Sequence, residues 1–334
     1  MSFRKDCLRL DAAAETSRLV SALQLAVRQR LRKSGGVVGV SGGVDSAVVL
    51  ALAVRALGPD RVIALILPER ESDPRSEVLA AEVARQYGAS VIREEITAAL
   101  EGFGCYQRRD EAIQRVIPEY DAAAGHKVKI VLPPGLLDKG SLNVFSVTVI
   151  RPDGSQVTRP LPPREYLQIV AASNFKQRTR MAFLYYHAEL RNYAVLGTAN
   201  KNEHDLGFFV RHGDAGVDVQ VIAHLYKTQV YQLAEHLGVP EAIRRRTPTT
   251  DTYSAPCSQE EFFFRLPFEI MDLLWFAHEH GFDPREVAAV LKLAPDQVQN
   301  AFADFQRKRF TTEPARQPPL GLAPHEVESW ASRK

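Results

Sequence analysis

The segment Ser41-Gly42-Gly43-Val44-Asp45-Ser46 constrains the fold of this chain more than any other stretch. The apolar run before it, residues 36–40, predicts a short buried strand, and the apolar run after it, residues 47–57, predicts a largely buried helix. A glycine pair at such a turn lets backbone N–H groups approach an anion closely, at the positive end of the new helix. The segment therefore predicts an α/β fold with an anion-binding turn at the carboxyl end of a strand.

The other side chains of this turn favour a nucleotide that carries a divalent cation. The hydroxyls of Ser41 and Ser46 can donate hydrogen bonds to phosphate oxygens, whereas the carboxylate of Asp45 repels them unless a cation lies between. A tight turn without a ligand needs only its two glycines and leaves these three residues unexplained. The chain contains no GxxxxGK[ST] sequence, so the turn is not a Walker P-loop. SGGVDS resembles instead the pyrophosphate-binding loop of the N-type ATP pyrophosphatases, which implies ATP as co-substrate and Mg²⁺ as cofactor.

Strands and helices are predicted to alternate along much of the chain. Their predicted bounds are 61–67, 90–96 and 194–197 for further strands and 15–33, 77–87 and 171–193 for helices. This order is typical of a doubly wound parallel sheet flanked by helices on both faces. Because the carboxyl ends of parallel strands share one edge, the turn at Gly42 and the strand end at Gly197 should lie close together.

Residues 100–165 interrupt this alternation and are interpreted as an insertion. Apolar residues alternate up to Ile150, and the turn Arg151-Pro152-Asp153-Gly154 is followed by a return stretch, which together predict a β-hairpin. A lone hairpin is marginally stable, so we expect it to be ordered by packing on the core or on another subunit. Residues 311–334 are rich in proline and are predicted to form an irregular C-terminal tail.

Composition narrows the choice of partners. The net charge of +2 gives no electrostatic case for a nucleic-acid partner. The sequence has no apolar stretch of roughly 20 residues, the length of a membrane span, and its first 15 residues are too charged for a signal peptide. Its three cysteines form no CxxC pair. We therefore expect a cytoplasmic protein with no membrane and no nucleic-acid partner.

A second group of polar residues follows the predicted strand 194–197. It comprises Gly197–Glu203, Gly207–Asp218 and Leu225–Val230. With SGGVDS, these stretches resemble the NAD⁺ synthetase family of the ammonia-dependent type, in order and in spacing, over residues 15–95 and 170–275. The resemblance implies one adenine nucleotide α-hydrolase-like domain over residues 1–334. It also implies ATP-dependent amidation of deamido-NAD⁺ with ammonia through an acyl-adenylate, with release of AMP and pyrophosphate.

The resemblance further implies a role for individual residues. Asp45 and Glu203 would hold Mg²⁺, a cation that prefers hard oxygen ligands. The implied catalytic residues are Asp45, Lys227, Asp214 and Asp218. The implied ATP-binding residues are Ser41, Gly42, Gly43, Val44, Asp45, Ser46, Arg178, Thr198, Lys227 and Thr249. Arg211, Asp214 and Asp218 would bind the deamido-NAD⁺ and ammonia, with either aspartate accepting a proton from ammonium.

The family resemblance also implies a homodimer, in which the deamido-NAD⁺ site is completed across the two-fold axis. Free ammonium is the expected nitrogen donor, because Cys7, Cys105 and Cys257 lack the context of a glutaminase nucleophile. A separate glutaminase partner is compatible with this expectation. The insertion is expected to cap the acceptor site or to extend the dimer interface.

Three alternatives remain open. A paralogous ligase would adenylate a different carboxylic acid, with the insertion reshaping its acceptor pocket. A tRNA-modifying pyrophosphatase would carry a basic or zinc-bearing module, and the sequence shows none. A non-catalytic nucleotide-binding protein would have no need for Asp45, Glu203 and Lys227 together.

Overall fold

A computed structural model describes residues 2–132, 137, 145–249 and 252–322. The strands are β1 (Gly35–Gly39), β2 (Val62–Ile66), β3 (Ser90–Arg93), β4 (Lys127–Val131), β5 (Ser146–Ile150), β6 (Gln156–Pro160), β7 (Tyr193–Gly197) and β8 (Val219–Gln220). The helices are α1 (Ala12–Gln24), α2 (Val44–Leu57), α3 (Pro74–Gln86), α4 (Thr97–Gly102), α5 (Cys105–Val116), α6 (Pro163–Arg191), α7 (Lys201–Leu206), α8 (Lys227–Leu237), α9 (Glu241–Arg244), α10 (Phe268–Glu279), α11 (Pro284–Leu291) and α12 (Pro295–Arg316). A π-helical segment, Leu25–Arg30, continues α1.

The central sheet is parallel and has the order β3-β2-β1-β7-β8, which confirms the predicted doubly wound fold. Adjacent residues of β1 serve opposite faces, as the period of a strand requires. Val38 packs with α1, α2, α3 and α8 on one face. Val37 packs with α4, α5 and α6 on the other. Helices therefore cover both faces, which explains why the central strands are apolar throughout.

The predicted hairpin is present as β5 and β6, paired antiparallel through Ser146↔Pro160 to Ile150↔Gln156. Gly154 has a φ of +82°, and Asp153 Oδ1 accepts a hydrogen bond of 2.8 Å from the Ser155 N–H. β4 pairs with the other edge of β5, so the inserted sheet has three strands rather than two. Its buried face, with Val147 and Val149, packs against residues of α5 and α6. Val144, at the start of the alternation that was predicted to end at Ile150, lies outside the described residues.

The prediction of an irregular tail from residue 311 is wrong for its first six residues. Helix α12 continues to Arg316 and contains Pro314 near its end. The Thr312 hydroxyl donates to the Lys308 carbonyl at 2.7 Å, and Arg316 Nη1 donates to the His204 carbonyl at 3.3 Å. These contacts with the helix itself and with α7 extend α12 beyond the proline. Residues 323–334 of the predicted tail lie outside the described ranges.

A second hydrophobic cluster joins α10, α11 and α12 to α7 and the first residues of the chain. This cluster lies beside the sheet and covers the side of α7 and α8. No helix within the described ranges is long and apolar enough to span a bilayer.

Candidate active site

The turn between β1 and α2 has the strained backbone that its glycines predict. Gly42 has a φ of +73°, and a Cβ atom built there would lie 2.5 Å from the Ser76 carbonyl oxygen. The Ser46 hydroxyl donates to the Gly43 carbonyl at 3.0 Å, and the Ser41 Oγ lies 3.3 Å from the Ser46 Oγ. The two serines that were expected to bind phosphate thus also fix the shape of the turn. The backbone at Gly42 can be occupied only by glycine without strain.

Three elements bring charged side chains to the first turn of α2. The Lys227 ammonium, at the start of α8, forms an ion pair with Asp45 Oδ2. The Asn200 amide donates to Asp45 Oδ1 at 3.1 Å. Asn200 is the N-cap of α7 and forms a reciprocal capping box with Glu203, in which each backbone N–H is accepted by the other side chain at 3.2 and 3.1 Å. The cap thereby links the Asp45 carboxylate to Glu203.

Burial and charge shape the electrostatics of this cluster. Burial and, after it, the nearby charge of Asp45 together raise the pKa of Glu203 to about 8. Burial alone would lower the pKa of Lys227, but the carboxylates of Asp45 and Glu203 outweigh it, so that this pKa is raised. The second oxygen of Glu203 accepts from the Gln259 amide at 3.0 Å. Two carboxylates therefore repel one another beside a permanently charged lysine.

This donor set fits Mg²⁺. Asp45 and Glu203 offer hard oxygen ligands, and a divalent cation between them would relieve the repulsion that raises the pKa of Glu203. Among the described residues, no group of three or more His, Cys, Asp or Glu side chains forms a metal cluster. Two protein carboxylates with the remaining ligands from phosphates and water is the arrangement usual for Mg²⁺.

A cleft of about 720 Å³ opens over this cluster, at the carboxyl ends of β1, β2 and β7. Its walls include many of the predicted site residues, namely Ser41, Asp45, Ser46, Thr198, Glu203, Asp214 and Thr249. Lys227 is buried behind Asp45. The position is the one expected for a ligand in an open parallel sheet.

Three predicted residues, Arg178, Arg211 and Asp218, do not line this cleft. Arg178 Nε donates to the Arg211 carbonyl at 3.3 Å, and Arg211 Nη2 donates to the Gln317 carbonyl at 3.4 Å. Asp218 accepts from the Val195 N–H at 2.8 Å and from the Tyr185 hydroxyl at 3.0 Å. Arg178 instead lines a separate shallow depression with Tyr185 and His212.

Asp214 differs from these three because it faces the cleft. Its Oδ1 accepts a hydrogen bond of 2.6 Å from the Val210 N–H, and burial raises its pKa to about 6. Asp214 and Asp218, for which the same role was predicted, therefore lie in different surroundings. Only Asp214 lies in the cleft wall, with a carboxyl that binds a proton more readily than an ordinary aspartate.

Asn200 and Gln259 complete the cluster but were not predicted from the sequence. Asn200 could have been found from the N-x-x-E spacing with Glu203, which is a capping pattern. Gln259 carries no local signal. A stacked pair at one end of the cleft, Phe145 and Tyr166 with ring centroids 4.6 Å apart, was also missed. Phe145 directly precedes the inserted strand β5, and the centroid of the Phe262 ring lies 6.1 Å from that of Phe145.

A buried ion network shapes the opposite wall. Lys176 Nζ, on α6, lies 2.9 Å from Glu69 Oε1 and 2.7 Å from Glu71 Oε2, and donates to the Thr252 carbonyl at 2.9 Å. Arg109 forms a bidentate pair with Glu71. Although burial opposes ionisation, Arg109 and Lys176 lower the pKa of Glu71 to about 2. The network ties the loop after β2 to the segment that follows Thr249.

The family model described as NAD synthase matches residues 15–118 and 151–315. The chain belongs to the NAD synthase family. A relative named NH(3)-dependent NAD(+) synthetase, from Rhizobium rhizogenes, is 48% identical over 320 residues, covering 96% of this chain and 95% of its own length. A relative of the same name from Mesorhizobium japonicum is 50% identical over 302 residues, covering 90% of this chain and 94% of its own length.

Solved structures show the same fold as this NAD synthase family member. An NH3-dependent NAD synthetase from Campylobacter jejuni has a TM-score of 0.60 at 21% identity and covers 94% of this chain and 100% of its own. An NMN synthetase from Francisella tularensis has a TM-score of 0.59 at 21% identity, and the match covers 93% of this chain and 98% of that one. Residues 119–150 lie between the two ranges that match the NAD synthase model. That segment, which contains β4 and β5, is narrower than the predicted insertion 100–165.

Proposed function

We propose that this chain catalyses the ATP-dependent amidation of deamido-NAD⁺ with ammonia, giving NAD⁺, AMP and pyrophosphate. The observation that carries the proposal is the convergence of Asp45, Glu203 and Lys227 on one cleft beside the SGGVDS turn. Membership of the NAD synthase family and two relatives of about this length named NH(3)-dependent NAD(+) synthetase support it. The cleft also has the size usual for a nucleotide-sized ligand.

The first half-reaction requires charge compensation at the phosphates. A carboxylate oxygen of the nicotinate group attacks the α-phosphorus of ATP, the bond to the bridging oxygen breaks, and pyrophosphate leaves with its electron pair. When bound, Mg²⁺ supplies positive charge that offsets the growing negative charge on the phosphates. Asp45 and Glu203 would hold it, and Lys227 supplies a fixed cation at the start of α8. The N-terminus of α2 adds the partial positive charge of the helix end.

The second half-reaction requires a proton acceptor. Ammonia attacks the acyl carbonyl carbon, the carbon–oxygen bond to AMP breaks, and one proton leaves the nitrogen. We assign its acceptance to Asp214, because this aspartate faces the cleft and its pKa of about 6 makes it a better base than an ordinary aspartate. Asp218 is already hydrogen-bonded to Val195 and Tyr185, away from the cleft.

We also propose that the inserted sheet shapes the acceptor end of the cleft. Phe145, directly before β5, lines the cleft and stacks on Tyr166, so that an aromatic surface belongs to the same cleft as Asp45 and Glu203. A homodimer is proposed on the exposed apolar face of α6, where Tyr186 and Leu190 are 58% and 63% exposed. The depression around Arg178 lies on the same helix, and a partner subunit there would complete it. Availability of ATP, deamido-NAD⁺ and ammonium favours the cytoplasm, with any glutaminase a separate protein.

The decisive experiment tests whether an oxygen atom is transferred from the carboxylate of the acid to AMP. Purified protein is given ATP, MgCl₂, ammonium and deamido-NAD⁺ labelled with ¹⁸O in its carboxylate, and products are identified by mass spectrometry. One ¹⁸O atom should appear in AMP, because the carboxylate oxygen bonded to phosphorus leaves with it. Formation of ADP and phosphate would contradict the proposal. Nicotinic acid mononucleotide replaces deamido-NAD⁺ in a parallel reaction, and faster amidation of it would favour the alternative acid substrate. Glutamine with ammonia removed should yield no amide.

A further inference from the structure

Helix α10 lies outside the cleft but contacts both helices that bring charge to it. The cleft walls, as far as the described residues define them, include no residue of Phe268–Glu279. Two acidic residues of α10, Asp272 and Glu279, are seven positions apart and so lie on one face of the helix, two turns from each other. Each makes one contact to α7 and one to the start of α8.

Asp272 makes the inner pair of contacts. Its Oδ2 accepts a hydrogen bond of 2.7 Å from the backbone N–H of Thr228, and its Oδ1 accepts from the Asn202 amide. Thr228 follows Lys227, and Asn202 precedes Glu203. Asp272 and Asn202 are both fully buried. A single carboxylate therefore bridges the residues next to the two charged groups of the site.

Glu279 repeats this pattern at the outer end. Its Oε1 lies 2.9 Å from Lys201 Nζ, and its Oε2 accepts from the Tyr226 hydroxyl. Tyr226 precedes Lys227, so that both neighbours of Lys227 are bonded to α10. At the first residue of α10, the ring of Phe268 lies 5.5 Å from the Lys227 ammonium. Helix α10 thus fixes Lys227 from three directions.

From these contacts we infer that Asp272 is a positioning residue, which sets the separation between Glu203 and Lys227 through Asn202 and Thr228. The inference rests on the proposed function, because it explains the spacing between Glu203, a proposed Mg²⁺ ligand, and Lys227, which is proposed to offset the charge of the phosphates. A buried carboxylate that accepts from both elements fixes them more firmly than apolar packing, since each hydrogen bond is directional and charge-assisted. Misplacement of a reacting group by about 1 Å can cost about a hundredfold in rate.

The chain itself offers a charge-swap test. In Asp272→Asn, the new oxygen can accept from the Thr228 N–H, but the new NH2 can pair with Asn202 only after the Asn202 amide turns over. Both contacts then lack the charge assistance of the carboxylate. The Oδ1 of Asn202 has no hydrogen-bond partner among the described residues. In the double variant Asp272→Asn with Asn202→Asp, the new amide donates to the new carboxylate and its oxygen accepts from Thr228. The buried charge is retained, and the pair of side chains again includes a charge-assisted hydrogen bond.

Asp304→Asn is the matched control. Asp304 is another fully buried aspartate, paired at 2.7 Å with Lys308 on its own helix, and it belongs to the same side of the molecule. Arg307 and Lys308, its ion-pair partners, both lie on its own helix α12. Its replacement should lower the melting temperature without altering the chemistry of the folded protein.

The measurements are kcat, the Mg²⁺ concentration for half-maximal rate, the affinity for α,β-methylene-ATP with Mg²⁺ by calorimetry, and the melting temperature. Asp272→Asn should lower kcat by about tenfold, raise the Mg²⁺ concentration for half-maximal rate by about tenfold and weaken analogue binding by about tenfold. The double variant should return kcat to within about threefold of wild type, and Asp304→Asn should stay within about twofold. If Asp272→Asn does not fold, Glu279→Gln replaces it, and its kcat should be lower than that of the wild type by about tenfold.

Three results would overturn the inference: a kcat of Asp272→Asn within twofold of wild type, an equal loss in Asp304→Asn, or a double variant no better than the single one. Wild-type protein that binds the analogue but forms no amide would refute the proposed function alone. The binding measurements would then decide on Asp272, because they do not depend on turnover.

Discussion

Replacement of Gly42 by alanine tests how the SGGVDS turn is held against the sheet. Two costs add at this position. A Cβ atom on a residue with a φ of +73° costs about 1 kcal/mol. The same atom would lie 2.5 Å from the Ser76 carbonyl oxygen and 3.2 Å from the Leu79 Cβ, on a helix backbone that cannot give way. Overpacking of this kind costs about 2 kcal/mol, so Gly42→Ala should destabilise the chain by about 3 kcal/mol.

Gly238→Ala separates the two costs. Gly238 has a φ of +77°, yet a Cβ atom there would meet nothing within 4 Å. Its replacement should cost only the backbone strain, about 1 kcal/mol. Urea unfolding followed by circular dichroism measures both variants, and calorimetry with α,β-methylene-ATP reports on the turn itself. Gly42→Ala should also weaken binding, because the turn must move away from α3, whereas Gly238→Ala should leave it unchanged. Equal destabilisation by the two variants would refute the steric argument.

Three other expectations concern the metal pair, the assembly and the inserted segment. Asp45→Asn and Glu203→Gln should each lower kcat at least about a hundredfold with circular dichroism unchanged, since each removes charge compensation at the phosphates; near-normal activity at ordinary Mg²⁺ would contradict the assignment. Sedimentation at micromolar concentration should show a dimer, and a monomer under assay conditions would argue against the α6 interface. A Gly/Ser linker in place of residues 139–162 should change KM for deamido-NAD⁺ or the oligomeric state, and a folded variant that keeps both would show that the segment is dispensable.

The central fold was predictable because its strands are buried on both faces. Apolar runs at β1, β2 and β7 and the glycine turn before α2 are local signals that survive in the structure. Strand β4 was not recognised, although Lys127–Val131 alternates as a half-buried strand does, because its pairing with β5 is set by tertiary contact. The end of α12 was missed for a related reason. Thr312 and Arg316 hold it, and proline content alone indicates nothing about such contacts.

The site was predictable where residues lie next to a recognisable turn or cap, and less so elsewhere. Asp45 and Glu203 both stand in the first turn of a helix that begins at a strand end, so their meeting follows from the parallel sheet. Gln259 and Asp272 are distant in sequence from Glu203 and Lys227, and no periodicity places them beside these residues. The predicted role of Asp218 in substrate binding stays a prediction. Asp218 has the right residue type and position in the sequence, but its carboxylate is used to hold the strand end at Val195.

The pairing of β1 has a consequence for how the chain acquires its activity during folding. Gly36 pairs with Val62 on one side and with Ala194 on the other. The first pairing is local, whereas the second closes a long loop and is correspondingly slow to form. Asp45 meets Lys227 only after this closure, so competence for nucleotide binding should appear in the slowest refolding phase. ATP added to a refolding chain should then leave the folding rate unchanged and act only by slowing unfolding.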